Sequence, residues 1–288
     1  MQPIDHDSPR AIKRLLNERN LTVKKRFGQN FLINRGARHK IIDALECENG
    51  DLVWEVGPGI GSLTDLLLTK EIRLITFEID YGFAGVLGEH FQNRGNFELV
   101  TGDFINTWQN VAQRVGYPDK IVGNLPYRCA AAIILSLFRH GNNALRAVFT
   151  VQKEVALRMT ALPGTHLYSS FSALCRLKWS ITNIGDLHAG SFFPPPRVIS
   201  TILVLEAKTP PPSNPRLVML ITRGIFANRR KTVKNNLIRF LEEQGVSPHL
   251  CGEILDLTGV RGDSRPETLT EEHILSLVGV LSGILPSS

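Results

Sequence analysis

The residues of this 288-residue chain best suited to chemistry lie at four points: Gly57 in a glycine turn, Glu78, Asp103, and Asn124 at the head of Asn124-Leu125-Pro126-Tyr127. The tetrapeptide combines an amide that both donates and accepts, an imide-fixed turn and an aromatic ring. Pro126 lacks an N–H and biases Leu125 away from helix, so a strand over 120–124 should stop at Asn124 with its next carbonyls facing outward. An amide, free carbonyls and the π-face of Tyr127 together suit a flat base carrying an exocyclic amine. The same residues also make an ordinary strand-to-helix turn, since Asn and Pro are common turn formers.

Upstream, Leu52-Val53-Trp54-Glu55-Val56 reads as a strand, and Gly57-Pro58-Gly59-Ile60-Gly61 then leads to the helix-spaced Leu63, Leu66 and Leu67. Glycine permits positive φ and close approach of backbone to a ligand, and the start of a following helix presents free N–H groups. Ser62 stands where a dinucleotide fingerprint requires its third glycine, which counts against hydride transfer. A second strand over 74–77 delivers Glu78, placed to accept from both hydroxyls of a ribose; the competing reading is a surface carboxylate at a strand end. A third, over 97–100, precedes Asp103, which reads as an acceptor for an adenine amine or as the N-cap of the next helix.

Strands alternating with helical segments imply an open α/β sheet, whose ligands lie outside the carboxyl ends of the strands, so Gly57, Glu78, Asp103 and Asn124 should converge. A helix is expected from about Asn34 to Leu45, and further strands over 147–151, 174–181 and 201–205. Phe192-Phe193, followed by Pro194-Pro195-Pro196, is either a wall of the base pocket or core beside a rigid loop. The composition break Lys208-Thr209-Pro210-Pro211-Pro212-Ser213 divides a first domain, residues 1–208, from a helical second domain, residues 209–288. In the latter, 223–241 carries Arg223, Arg229, Arg230, Lys231, Lys234 and Arg239 without an acid, interleaved with Phe226, Val233, Leu237 and Phe240. That pattern reads as one basic amphipathic helix, whose charges contact RNA or form a dispersed solvated face. Residues 1–30 hold seven Lys and Arg against Asp5, Asp7 and Glu18, a loose basic arm for phosphates or again a solvated face.

Composition narrows the function classes. The 33 Lys and Arg against 27 Asp and Glu give a net charge of +6, which favours a polyanionic partner. The cysteines at 47, 129, 175 and 251 form no C-x-x-C pair and have no nearby His cluster, so the expectation is neither a metal site nor a disulfide framework, and a cytoplasmic location. The first residues lack an apolar leader, and Asp5, Asp7 and Glu18 do not suit a transit peptide. The richest apolar run, 130–138, ends at Arg139, far short of the ~20 residues of a spanning helix, so no membrane partner is expected.

Taken in order, Lys25-Arg26-Phe27-Gly28-Gln29-Asn30-Phe31-Leu32, Glu55-Val56-Gly57-Pro58-Gly59-Ile60-Gly61-Ser62-Leu63-Thr64, the Asn124 tetrapeptide, Gln152-Lys153-Glu154-Val155 and Phe192-Phe193-Pro194-Pro195-Pro196-Arg197-Val198 resemble the ribosomal RNA small-subunit adenine dimethyltransferase family. Asn228-Arg229-Arg230-Lys231-Thr232 resembles its bacterial branch. The resemblance implies a Rossmann-like S-adenosylmethionine-dependent methyltransferase domain with a small helical domain. The implied activity is dimethylation of two adjacent adenosines near the 3′ end of small-subunit rRNA in a pre-ribosomal particle, by a monomer that needs no metal. It implies that Asn30 and Leu32 contact the methionine end of the cofactor, Gly57 and Gly59 its backbone-lined turn, Glu78 the ribose and Asp103 the adenine. Asn124 would sit between cofactor and target amine; Leu125 and Pro126 would shape that site, and Tyr127, with Phe192, would stack on the extruded base. RNA contacts fall to Lys25, Arg26, Arg128, Arg229, Arg230, Lys231 and Lys234. The chain departs from the family pattern at Arg128-Cys129-Ala130, where a serine at 130 would cap the next helix, and at Ile199, where an Asp is usual. Two alternatives stand beside this one: a large-subunit rRNA adenine methyltransferase of the antibiotic-resistance type, and a non-catalytic ribosome-assembly or transcription factor.

Overall fold

The computed structural model describes residues 4–23, 29–141 and 144–285. Its strands are β1 Phe31–Leu32, β2 Leu52–Val56, β3 Arg73–Glu78, β4 Phe97–Thr101, β5 Lys120–Asn124, β6 Arg146–Gln152, β7 Trp179–Leu187, β8 Phe192–Phe193 and β9 Ser200–Ala207. The helices are α1 Pro9–Glu18, α2 Arg35–Leu45, α3 Thr64–Leu67, α4 Tyr81–Phe91, α5 Phe104–Val115, α6 Ala130–Arg139, α7 Lys153–Thr160, α8 Ser170–Lys178, α9 Pro215–Ile225, α10 Val233–Glu243, α11 Cys251–Thr258 and α12 Glu271–Ser282.

A seven-stranded sheet runs in the order β4-β3-β2-β5-β6-β9-β7. Strands β2 to β6 are parallel, and β9 joins β6 antiparallel. From β2 the chain builds outward through β3 and β4, then returns to place β5 on the other side of β2. That reversal opens a crevice at the strand ends between β2 and β5, where ligands of such sheets lie. Parallel strands are covered on both faces and are therefore almost continuously apolar. In β2, Val53, Trp54 and Val56 are buried, Trp54 against Phe77 at 5.2 Å and Trp108 at 6.1 Å between ring centroids. Gly123 permits the closest approach of β5 to β2, since a Cβ there would lie 2.6 Å from the Val56 carbonyl oxygen.

The chain forms two compact units, one of residues 1–134, 143–156 and 181–207, the other of 135–142, 157–180 and 208–288. The second unit therefore takes in more than the tail beyond the proline-rich break. Residues 174–181, expected as a strand, belong mostly to α8, and β7 starts only at Trp179. Helix α8 opens with a Ser169–Ser172 capping box and buries Phe171, Ala173, Leu174, Cys175 and Leu177. A helix buried nearly all round shows no polar stripe, which is why its period cannot be told from that of a strand.

Nor is 223–241 one helix. Helix α9 ends at Ile225 and α10 begins at Val233, capped by the Thr232 hydroxyl accepting from the Asn235 N–H. Asn236, buried in α10, accepts from the Asn228 N–H at 3.1 Å and donates to the Asn228 carbonyl at 3.0 Å, which holds the turn. The N-terminal segment is not uniformly a loose arm either. Helix α1, capped by Ser8, buries Ile12 and Leu16 beside Phe31, Ile60 and Phe83. Lys25 and Arg26 lie outside the described residues. Among the described residues no helix is long and apolar enough to cross a membrane, and no cluster of three His, Cys, Asp or Glu is arranged to hold a metal ion.

Candidate active site

Gly57, Glu78, Asp103 and Asn124, drawn from the ends of β2, β3, β4 and β5, line one pocket together with Asn30, Leu32, Gly59 and Pro126. Gly57 and Gly59 have φ of 70° and 60°, a left-handed conformation costly for any residue with a Cβ. A Cβ on Gly59 would also lie 3.1 Å from the Phe31 ring. The turn is followed by a single helical turn, α3, in place of a long helix.

Glu78 is 4% exposed. Its Oε2 accepts from the Gly59 N–H at 2.9 Å and its Oε1 from the Asp80 N–H at 2.8 Å. Burial pushes its carboxyl up to about 7, against the pull of those N–H groups. The carboxylate, with about four acceptor sites, keeps acceptor capacity for a hydroxyl donor. Asp103 is the N-cap of α5, its Oδ1 accepting from the Ile105 N–H at 3.0 Å, and it also lines the pocket. The two readings of Asp103 are compatible, because Oδ1 serves the helix while Oδ2 remains for a ligand.

Asn124 donates from Nδ2 to the Asn30 carbonyl at 2.7 Å. This bond fixes the amide's orientation and leaves Oδ1 as an acceptor. Leu125 is 1% exposed, and its N–H donates to the Thr150 carbonyl at 3.0 Å, so the residue is held in the core. The Pro126 carbonyl accepts from the Cys129 and Ala130 N–H groups at 3.1 and 3.0 Å. The start of α6 is thus tied down by main chain, without the serine at 130. Tyr127 is half-buried, its phenol oxygen 2.6 Å from the Ser200 hydroxyl, and Arg128 beside it is exposed.

Phe192 does not offer its ring to a base. It is 2% exposed, packed in the sheet's core, and its strand β8 pairs antiparallel with β1, Leu32 opposite Phe192 and Phe31 opposite Phe193. Phe193 is the half-buried member of the pair. The departure at Ile199 acts through backbone, its carbonyl accepting from the Lys153 N–H at 2.9 Å whatever side chain it bears. In the second unit Arg229, Arg230, Lys231 and Lys234 are all exposed, and Arg229 also donates from its guanidinium to the His166 carbonyl at 2.7 Å.

Glu55, absent from the sequence-based site, lines the same pocket at 1% exposure and accepts from the Thr64 hydroxyl at 2.6 Å. Burial pushes its carboxyl up to about 8, and Glu78 nearby adds to the shift. A glutamate in an otherwise apolar parallel strand was the available signal, since buried carboxylates are rare. Ile79, Cys129 and Ile133 also line the pocket.

A glycine turn and a buried strand-end carboxylate, at the switch point of a mostly parallel sheet, define a Rossmann-like nucleotide-binding domain. Residues 20–277 match the family described as Ribosomal RNA adenine dimethylase. The chain is 36% identical to ribosomal RNA small subunit methyltransferase A of Treponema denticola, over 98% of this chain and 97% of that one. It is also 36% identical to the protein of the same name from Borreliella burgdorferi, over 97% and 96%. Among solved structures, a dimethyladenosine transferase from Plasmodium falciparum superposes with a TM-score of 0.73 at 26% identity, covering 88% of this chain and 98% of that one. The 23S rRNA methyltransferase ErmE superposes with a TM-score of 0.63 at 23% identity, covering 88% and 100%, a likeness of fold alone. The chain belongs to the ribosomal RNA adenine dimethylase family.

Proposed function

We propose that the protein uses S-adenosylmethionine to dimethylate the exocyclic amines of two adjacent adenosines near the 3′ end of small-subunit rRNA, within a pre-ribosomal particle. The observation that carries this reading is the oriented Asn124 amide at the rim of a pocket fitted to a nucleoside. The pocket's donors and acceptors suit the cofactor: Glu78 for the ribose hydroxyls, Asp103 for the adenine amine, the Gly57 turn for close backbone approach, and Asn30 with Leu32 for the methionine end. When bound, S-adenosylmethionine supplies an electrophilic methyl group on a positively charged sulfur.

An adenine amine is a poor nucleophile because its lone pair is delocalised into the ring. The Asn124 Oδ1 and the Leu125 carbonyl would each accept one of its N–H bonds, favouring a pyramidal nitrogen with its lone pair turned to the methyl. After transfer the nitrogen is cationic and loses its proton to water, so these residues need no general base. The Tyr127 ring would stack on the base withdrawn from its helix. Arg128, Arg230, Lys231 and Lys234 would meet phosphates, with the protein acting as a monomer.

A large-subunit substrate is the reading that likeness to ErmE suggests, but that likeness is one of fold, whereas the near-full-length relatives carry a small-subunit name. Retention of Asn124 and Glu78 supports turnover over a purely non-catalytic role. Incubation with labelled S-adenosylmethionine and immature small or large subunits, followed by mapping of the modified bases, tests the proposal. Two neighbouring dimethylated adenosines near the small-subunit 3′ end are expected; labelling of large-subunit RNA alone would overturn it.

A further inference from the structure

Ser200 opens β9, directly after the loop that carries Pro194, Pro195 and Pro196. It is fully buried, and its hydroxyl shares a 2.6 Å hydrogen bond with the Tyr127 phenol across 73 residues of sequence. A tyrosine in a turn is otherwise limited only by packing about its two side-chain torsions, and this bond fixes the far end of the ring.

The strand end that holds Ser200 is itself clamped from two sides. Its neighbour Thr201 donates from its hydroxyl to Asp186 Oδ1 at 2.7 Å, while Lys153 Nζ lies 2.6 Å from Asp186 Oδ2. The Lys153 N–H donates to the Ile199 carbonyl at 2.9 Å, and Gln152 stands opposite Ser200 in the β6–β9 register. Lys153 therefore grips the residue before Ser200 by main chain and the residue after it through Asp186. Successive side chains on a strand point to opposite faces, so Thr201 serves the clamp while Ser200 faces Tyr127. The Gln152-Lys153-Glu154-Val155 motif, which has no part in holding cofactor or base, thereby acquires a task.

We propose that Ser200 is a positioning residue for methyl transfer: it orients the Tyr127 ring through the shared hydrogen bond, and the Lys153–Asp186–Thr201 clamp keeps it in place. The proposal rests on the reading of Tyr127 as the platform on which the target base stacks. Single-turnover methylation of immature small subunits, at saturating cofactor, is measured for Tyr127→Phe, Ser200→Ala and the double variant, with cofactor affinity and melting temperature alongside. Each single change should slow transfer about 2- to 12-fold, the usual worth of one neutral hydrogen bond, with cofactor affinity unchanged. The double variant should be no slower than the slower single one, because both remove the same bond. Ser200→Thr, which keeps the hydroxyl, should be faster than Ser200→Ala. Asp186→Asn should slow the parent and have no effect on the Ser200→Ala background. Parental rates in both singles, or losses that multiply in the double, would overturn the proposal; should Ser200→Ala fold poorly, Tyr127→Phe alone decides, because it keeps the ring. Tyr127→Ala separates the two readings. Loss of rate there, with Tyr127→Phe at the parental rate, removes the positioning role and leaves stacking intact, whereas a parental rate in Tyr127→Ala removes both.

Discussion

Around the glycine turn the polar groups are withdrawn from solvent, Glu78 buried and Asn124 half-buried, and held by main chain: Glu78 by the Gly59 and Asp80 N–H groups, Asn124 by the Asn30 carbonyl. In the turn between α9 and α10 the cations Arg230 and Lys231 stand exposed, on a backbone held by Asn236. The first arrangement gains its strength from exclusion of water and is sensitive to protonation and to the loss of single atoms. If the second meets RNA, it does so through charge in solvent, and its effect should be graded, salt-dependent and tolerant of any one deletion. A methyltransferase that discriminates its cofactor atom by atom but grips a long polyanion needs both kinds of surface.

Asn124→Ala should separate them most sharply. Removing the oriented acceptor is expected to lower single-turnover methyl transfer about 100- to 1,000-fold, as loss of one preorganised hydrogen-bonding group does elsewhere. Calorimetry should find cofactor affinity nearly unchanged and filter binding should find RNA affinity intact; full activity would refute the assignment.

Next in size is Glu78→Ala, expected to weaken cofactor binding by about 1.5–3 kcal/mol, the worth of hydrogen bonds to a charged group. Because burial holds this carboxyl at about 7, it is ionised above that pH and protonated below it. A protonated carboxyl loses acceptor capacity, so parental affinity should fall as pH drops through about 7 and the Ala variant should show no such fall. A flat titration in the parent protein would remove Glu78 from the cofactor site.

Arg230→Ala with Lys231→Ala should leave cofactor binding untouched and weaken RNA binding. The slope of log affinity against log salt should become shallower by about 0.7–0.9 for each phosphate that the variant no longer neutralises. An unchanged slope would make this turn a solvated surface.

The smallest effect is one of stability. Glu55 titrates near 8 when folded and near its ordinary 4.5 when unfolded, so between those values the folded state binds the extra proton and stability declines as pH rises. Glu55→Gln removes that decline. Its melting temperature should exceed the parent's by a few degrees at pH 8 and match it near pH 5; equal shifts at both would place the cause elsewhere.

Much of this was legible because strand and turn signals are local. The runs ending at Val56, Glu78 and Asn124 are apolar and sharply punctuated, and chain order alone then places their ends together. What escaped depends on partners far away in sequence. Helix α8 lost its period to burial on every side, and the break after Ile225 rests on Asn236 gripping Asn228. Which of Phe192 and Phe193 faces the core follows from pairing with β1, an arrangement that no property of two adjacent phenylalanines specifies. The Asn30 contribution is a carbonyl, which side-chain chemistry does not reveal.

The bond from Asn124 to Asn30 closes over 94 residues, and β1 finds its partner only at Phe192 and Phe193. Pairings that distant form late, since the entropy of loop closure must be met before they return any energy. On a chain emerging from the ribosome in order, Phe31 must wait for more than half the protein to be made before its strand can pair. The parallel strands can assemble sooner, with the mouth of their crevice still unformed. Competence to methylate should therefore be the last property the first unit acquires, and a truncated or stalled product would carry the scaffold of the enzyme without its activity.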